Sequence, residues 1–334
     1  MTTALPSTPV LPSHTWRPLR SGDAHALFQL EADCAPFHGG TSIASIAERK
    51  EKLKQAGDKL TTDTLCAVDS TGRLAAAAWV TCDDRFAHEY RAFLDGRVHP
   101  DYRGRGLGSF ILQWMETRAR QILSDRKEDR PGVLRIDFYD RSDDALDLFE
   151  QHGFCFAFAE EEWRRDLTQA VPVTDLPEGM AVVTWSPQRA ALFFDVYQDA
   201  FRERPGFPNW SEDTWRHNFS GGTGFRPDLS LLLQRGTEAV GFAICHVETE
   251  GAEERAGVGW IVQMGVRPAW RRRGLGRALL CEVVRGFQAD GLGSAALEVN
   301  IDNHRAVRLY ELLGFERCRR RTSFQKVARE RGCH

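Results

Sequence analysis

Two short segments carry the same apolar stripe. Ala306, Leu309, Tyr310 and Leu313 recur at the i, i+3, i+4, i+7 spacing of one helix face, and Ala145, Leu148, Phe149 and His152 hold the matching positions earlier in the chain. Both stripes run into Gly-Phe, and each is preceded by a strand-type run, within Leu134 to Phe154 and Leu297 to Phe315. Further upstream, Leu65 to Val68 and Leu74 to Val80 flank a Ser-Thr-Gly turn, while Leu229 to Leu233 and Ala239 to Cys245 flank Gly236. These predict one hairpin per half. Helical patterns at Ala24 to Ala32 and Arg189 to Phe201 precede the hairpins. Each half therefore reads strand, helices, hairpin, strand, helix, strand, helix, strand. The aperiodic stretch with Pro172 and Pro177 predicts a linker over 167–179, between domains at 14–166 and 180–328.

The length of 334 residues suits two such domains. A net charge of -3 gives no electrostatic reason to expect nucleic acid, and no apolar run approaches the ~20 residues that span a bilayer. Met1 to Ser13 reads as a lead-in without the apolar core of a secretory signal. The eight cysteines are scattered with no CxxC pair, which argues against a zinc site or disulfide framework and suits a reducing cytoplasm.

The repeat also carries chemistry. Val266-Arg267-Pro268 leads into Arg271-Arg272-Arg273-Gly274-Leu275-Gly276-Arg277, and Val98-His99-Pro100 leads into Arg103-Gly104-Arg105-Gly106-Leu107-Gly108. Each reads as a strand, a tight loop and a helix. Glycines let backbone N–H groups approach an anion, the helix N-terminus adds a partial positive charge, and the arginines add full ones. This composes a pyrophosphate cradle. It lacks the spacing of a dinucleotide fingerprint and the Gly-Lys-Ser/Thr ending of a nucleotide P-loop.

Arg-x-x-Gly-x-Gly between strand and helix resembles the acetyl-CoA loop of the GNAT (GCN5-related N-acetyltransferase) family. Leu297 to Asn303 followed by Ala306 to Phe315 resembles that family's second cofactor-side block. The two-domain architecture is similar to that of the mycothiol synthase family. The resemblance implies an α/β fold with two tandem acyltransferase domains, each a mostly antiparallel sheet flanked by helices and splayed at the cofactor site. It implies acetyl-CoA as acyl donor, held by main-chain groups of Met264 and Val266 along the free strand edge. A primary amine of a small molecule is the expected acceptor. A peptide N-terminus, or no reaction at all in an acyl-CoA-binding sensor or scaffold, are the alternatives.

Transfer to an amine requires a neutral nucleophile, a stabilised oxyanion and a proton for the departing thiolate. Tyr310, where many GNAT enzymes carry a tyrosine aimed at the sulfur, is the expected general acid. Glu298, twelve residues earlier, is the expected base, with His246, His304, Glu248 and Glu250 as alternatives. Asn303 either caps the last helix or contacts the cofactor, and Asn300 has the same two readings. Asp195, Tyr197, Asp199, Phe201, Glu203, Trp210 and Trp215 compose either an amine-binding pocket or an ordinary interface. The first copy keeps its loop as a second CoA site (Val98, Arg103, Gly104, Arg105, Gly106, Gly108). It has Phe149 for Tyr310, Tyr139 for Asn300 and Ser142 for Asn303, so it is expected to be catalytically degenerate.

Overall fold

The computed structural model describes residues 4–329, apart from 38–44, 84–85, 87–88, 127–129, 140–142, 205–206, 208, 223 and 249–256. Ser142 and Glu250, singled out above, lie outside the described residues. The chain forms two compact units, one of residues 1–159 with 320–334 and one of residues 160–319.

In the first unit, β1 (His14–Arg17), α1 (Ala24–Cys34), α2 (Ile46–Ala56) and α3 (Lys59–Asp63) lead into β2 (Thr64–Asp69), β3 (Leu74–Asp83) and β4 (Tyr90–Val98). Then come α4 (Leu107–Ser124), β5 (Gly132–Phe138), α5 (Asp143–Gln151) and β6 (Cys155–Asp166), whose first residues close the unit's continuous stretch. Neighbouring strands run antiparallel except β4 and β5, which pair parallel from Tyr90 to Phe93. Period-2 alternation sends Ala92 and Leu94 to one face under α4 and α5, whereas Leu27, Leu30 and Leu53 pack the other face from α1 and α2.

The second unit repeats the plan with β7 (Met180–Thr184), α6 (Ala190–Phe201), α7 (Glu212–Phe219), β8 (Leu231–Arg235), β9 (Glu238–Glu248) and β10 (Val258–Val266). It continues with α8 (Leu275–Ala289), β11 (Ser294–Asn300) and α9 (His304–Leu312), after which β12 (Glu316–Arg329) begins. Helix α8 buries Leu275, Leu279, Leu280, Val283, Val284 and Phe287 along one stripe, each worth about 1.5–3 kcal/mol of transfer free energy. The mixed, mostly antiparallel sheets flanked by helices match the expected α/β fold class.

The division of the chain differs from the expected cut at 167–179. Residues 322–329 of β12 pair antiparallel with β5 in the first unit, and residues 160–166 of β6 pair antiparallel with β11 in the second. The stretch 167–179 is docked on α8 rather than free. Gln288 donates to the Leu167 and Gln169 carbonyls, Arg285 to the Pro172 carbonyl, and the Thr174 hydroxyl reaches the Cys281 sulfur at 3.2 Å. No helix among the described residues is long and apolar enough to cross a membrane.

Candidate active site

Strand β10 pairs with β11 only from Val258 to Ile261. Beyond that point β11 stays with β6 out to Asn300, while β10 follows β9 to Val266. A wedge therefore opens along residues 262–266. A bulge between Ile261 and Gln263 starts it, with half-exposed Val262 as the extra residue. Arg267 N–H donates to the Val240 carbonyl at 2.9 Å. Two-residue alternation then turns the amides of Gly265 and Gln263 toward β9 and those of Met264 and Val266 toward the opening. Met264 and Val266, expected to hold the acyl donor, are thus residues whose main-chain N–H groups face the opening.

The strand edge leads into the glycine loop. A turn of 3-10 helix at Pro268–Trp270 precedes two left-handed residues, Arg272 (φ 63°) and Gly274 (φ 76°). Gly274 is the N-cap of α8 and offers no side-chain cap, so the first N–H groups of the helix point outward without partners in the helix. Gly276 lies inside the first turn, with Leu309 Cδ2 3.8 Å from where a Cβ would stand. Arg272 and Arg277 are exposed and form no ion pair among the described residues. Arg273 lies over the Trp270 ring at 4.8 Å and donates to the Ala269 carbonyl at 3.3 Å. Arg271 makes contacts that its sequence context did not predict. Its guanidinium turns inward, donating to the Val266 carbonyl at 3.1 Å and the Ala200 carbonyl at 2.7 Å, and so pins the loop to β10 and α6.

Tyr310 is buried on the α8/α9 face, in the cluster that holds Leu279, Leu297, Val299 and Leu313. Burial pushes its phenol up to about 12, so it stays protonated at neutral pH. The unfolded phenol titrates near 10, so the sign for stability is negative on the alkaline side. Fluorescence-monitored unfolding should show a loss of stability beginning near pH 10 and complete near pH 12, and Tyr310→Phe should blunt it. Glu298 alternates with Leu297 and Val299 and therefore stands on the opposite, α6/α7 face of β11, exposed. Its cross-strand partner is Glu162, a buried carboxylate held by Arg319 and by Arg164 at 2.7 Å. Next along the face, Glu160 pairs with Arg204 at 2.8 Å. These two glutamates beside the expected base were not foreseen, because only the register between β6 and β11 brings them there.

Asn303 caps α9, its Oδ1 accepting from Ala306 N–H at 3.3 Å, and Asn300 Oδ1 accepts from Asp302 N–H at 2.9 Å. Both carbonyl oxygens thus shape the β11–α9 turn. The alternative bases lie elsewhere. Glu248 accepts from Trp260 Nε1 at 2.9 Å at the paired end of β10, His246 Nε2 lies 2.8 Å from the Phe219 carbonyl, and exposed His304 opens α9. Two of the expected acceptor residues are core. Tyr197 and Trp215 are buried among Phe193, Phe201 and Phe242, and Trp215 Nε1 donates to Gln263 Oε1 at 2.8 Å. Asp195 and Asp199 both bind Arg267.

In the first unit β4 splays from β5 after Phe93 without a bulge. Its loop repeats the left-handed pair at Gly104 (φ 71°) and Gly106 (φ 77°), and Arg105 repeats the contact with its aromatic neighbour, 5.3 Å from the Tyr102 ring. Phe149 packs where Tyr310 does, against Phe138 and Phe324. The floor of the splay differs in kind. Glu31, Arg49, Asp95 and Arg97 stand where the second unit has Tyr197, Trp215, Gln263 and Gly265. Arg49 holds Glu31 at 2.6 Å and Arg97 holds Asp95 at 2.7 Å. Burial raises the Glu31 carboxyl, and Arg97 holds that of Asp95 down. Arg49 Nε is buried with no partner. Glu31→Gln should destabilise the unit by about 2–4 kcal/mol in urea unfolding, while Glu31→Leu with Arg49→Met should restore most of it.

Residues 191–315 match the acetyltransferase (GNAT) family and residues 62–155 an acetyltransferase (GNAT) domain. The chain is 33% identical over 227 residues to a mycothiol acetyltransferase of Thermobispora bispora, covering 66% of this chain and 71% of that one. It is 28% identical over 324 residues to a mycothiol acetyltransferase of Frankia alni, covering 92% of each. Its fold matches a solved GCN5-related N-acetyltransferase from Sphaerobacter thermophilus with a TM-score of 0.79 at 26% identity, over 96% of this chain and 98% of the other.

Proposed function

The chain belongs to the GNAT family of acetyltransferases as a tandem member, and from that premise we propose that its second unit transfers the acetyl group of acetyl-CoA to a primary amine of a small molecule. The observation that carries this is the open edge of β10 running into the uncapped start of α8. Met264 and Val266 supply the strand-like hydrogen bonds for a pantetheine arm. The Met264 N–H doubles as the donor to the thioester carbonyl as it gains charge. The α8 N-terminus, Arg272, Arg273 and Arg277 receive the pyrophosphate, and Arg271 keeps the loop in register with the strand. The donor supplies an activated thioester, and the protein's part is to hold it and to manage protons.

Those proton tasks fall on opposite faces of β11. Tyr310, on the α8/α9 face, donates a hydrogen bond to the departing sulfur. Glu298, on the α6/α7 face, accepts the proton of the attacking amine, directly or through water. A base and an acid on the two sides of the wedge suit direct attack, with nucleophile and leaving group approaching from different sides. The likeness to mycothiol acetyltransferases supports a small-molecule acceptor over a peptide. The test is thiol release from acetyl-CoA against a panel of small amines, amino sugars, cysteinyl compounds and peptides. Turnover with small amines is expected. Turnover with peptides alone, or CoA binding with no turnover, would overturn the reading.

A further inference from the structure

The two units differ in charge where the last helix passes the start of the loop helix. Leu309 of α9 touches the first turn of α8 at Gly276, and Leu148 of α5 touches the first turn of α4 at Gly108, with 3.3 Å between its Cδ2 and a Cβ built there. On α9, Ala306, Tyr310 and Leu313 lie to one side of Leu309 and form the buried stripe. Arg305 and Arg308 lie to its other side, about 40° and about 100° around the helix axis. They therefore flank the edge of α9 that meets the start of α8. Both are exposed, and neither forms an ion pair among the described residues. The matching positions of α5 are Asp144 and Asp147, exposed as well. The loops shift the same way, since Arg272 and Arg277 of the second unit correspond to Gly104 and Ser109 of the first.

We propose that Arg305 and Arg308 seat the ribose 3′-phosphate of coenzyme A in the second unit, and that Asp144 and Asp147 exclude the same nucleotide from the first. The inference rests on the cofactor assignment proposed above and refines it. The pyrophosphate occupies the backbone donors of α8, so the remaining dianion needs separate partners within reach. Guanidinium groups supply paired donors for phosphate oxygens, and neither arginine is held by a carboxylate among the described residues. In the first unit a phosphate at the equivalent point meets two carboxylates instead. The backbone shape is retained while the charge is reversed, which separates a phosphate-shaped loop from a phosphate-binding one.

Calorimetry on the full chain, titrated with coenzyme A and with 3′-dephospho-coenzyme A, tests this without relying on turnover. Wild type should bind one coenzyme A per chain and prefer it over the dephospho form by about tenfold. Arg305→Gln with Arg308→Gln should lose that preference while binding the dephospho form within about threefold of wild type. Asp144→Arg with Asp147→Arg should add a second binding event per chain. Equal wild-type affinity for both nucleotides, a preference that survives in the glutamine variant, or two comparable sites in wild type would overturn the inference. Binding of neither nucleotide to wild type would overturn the cofactor assignment itself, and this inference with it.

Discussion

Tyr310→Phe is expected to slow thiol release about a hundredfold at saturating substrates, while KM for acetyl-CoA and the melting temperature stay near wild type. The substitution removes only an oxygen. The first unit already shows that phenylalanine fits this place, since Phe149 packs against Phe138 and Phe324 with ring centroids 5.2 and 5.4 Å apart. What is lost is a donor held in a buried setting, where hydrogen bonds to developing charge are worth about 2.7–4 kcal/mol. The direction of the shift also says how the phenol works. With its proton held to about pH 12, it is a poor source of a fully transferred proton for a thiolate whose conjugate acid lies near ~8.5. It acts as a hydrogen bond that strengthens as the sulfur gains charge. An unchanged kcat in the variant, measured by free-thiol titration, would move the chemistry away from Tyr310.

Ending the chain at Arg319 is expected to unfold the first unit and leave the second folded. The deletion strips the strand that pairs with β5. It removes the Phe324 ring from the core, the Ser323 and Arg321 contacts to Asp137, and the Lys326 bonds to Glu116 (2.6 Å) and the His152 carbonyl (2.7 Å). Loss of a buried phenylalanine side chain alone costs about 3–5 kcal/mol, a large share of the 5–15 kcal/mol that holds a domain together. Hydrogen exchange should show protection lost across β3, β4, β5 and α4, with α8 and β9 still protected. Unaltered protection in β5 would show that the terminal strand is dispensable. For the same reason, residues 14–166 expressed alone should not fold.

The features that were legible in the sequence are those written in contiguous residues. The Arg271 to Gly276 loop, its strand, its helix and the Tyr310 stripe each depend on local spacing, and each stands where that spacing placed it. The two halves repeat one another, which made the architecture readable. What escaped is set by pairing between distant segments. Nothing near Phe324 in sequence says that its partner is Ile136, and nothing near Glu162 says that it faces Glu298. The carbonyl contacts of Arg271 escaped for a related reason, because an arginine in a phosphate loop and an arginine tying that loop to carbonyls look alike until the carbonyls are located. The aromatics of α6 and α7 suited a pocket or an interface by composition, and Tyr197 and Trp215 prove to be buried against Phe242.

The ion pairs under the splay of the first unit bear on any attempt to give it the second unit's site. Phe149→Tyr alone would not recreate the second unit's site, because Glu31, Arg49, Asp95 and Arg97 line the floor where the second unit has the neutral Tyr197, Trp215, Gln263 and Gly265. A single step back at Glu31 or Arg49 strands the partner's charge, at about 2–4 kcal/mol, whereas the more exposed Asp95–Arg97 pair costs about 1 kcal/mol or less to break. Reworking this floor therefore has to change Glu31 and Arg49 together. The equivalent floor of the second unit, built from Tyr197, Trp215, Gln263 and Gly265, holds no ionised side chain to strand.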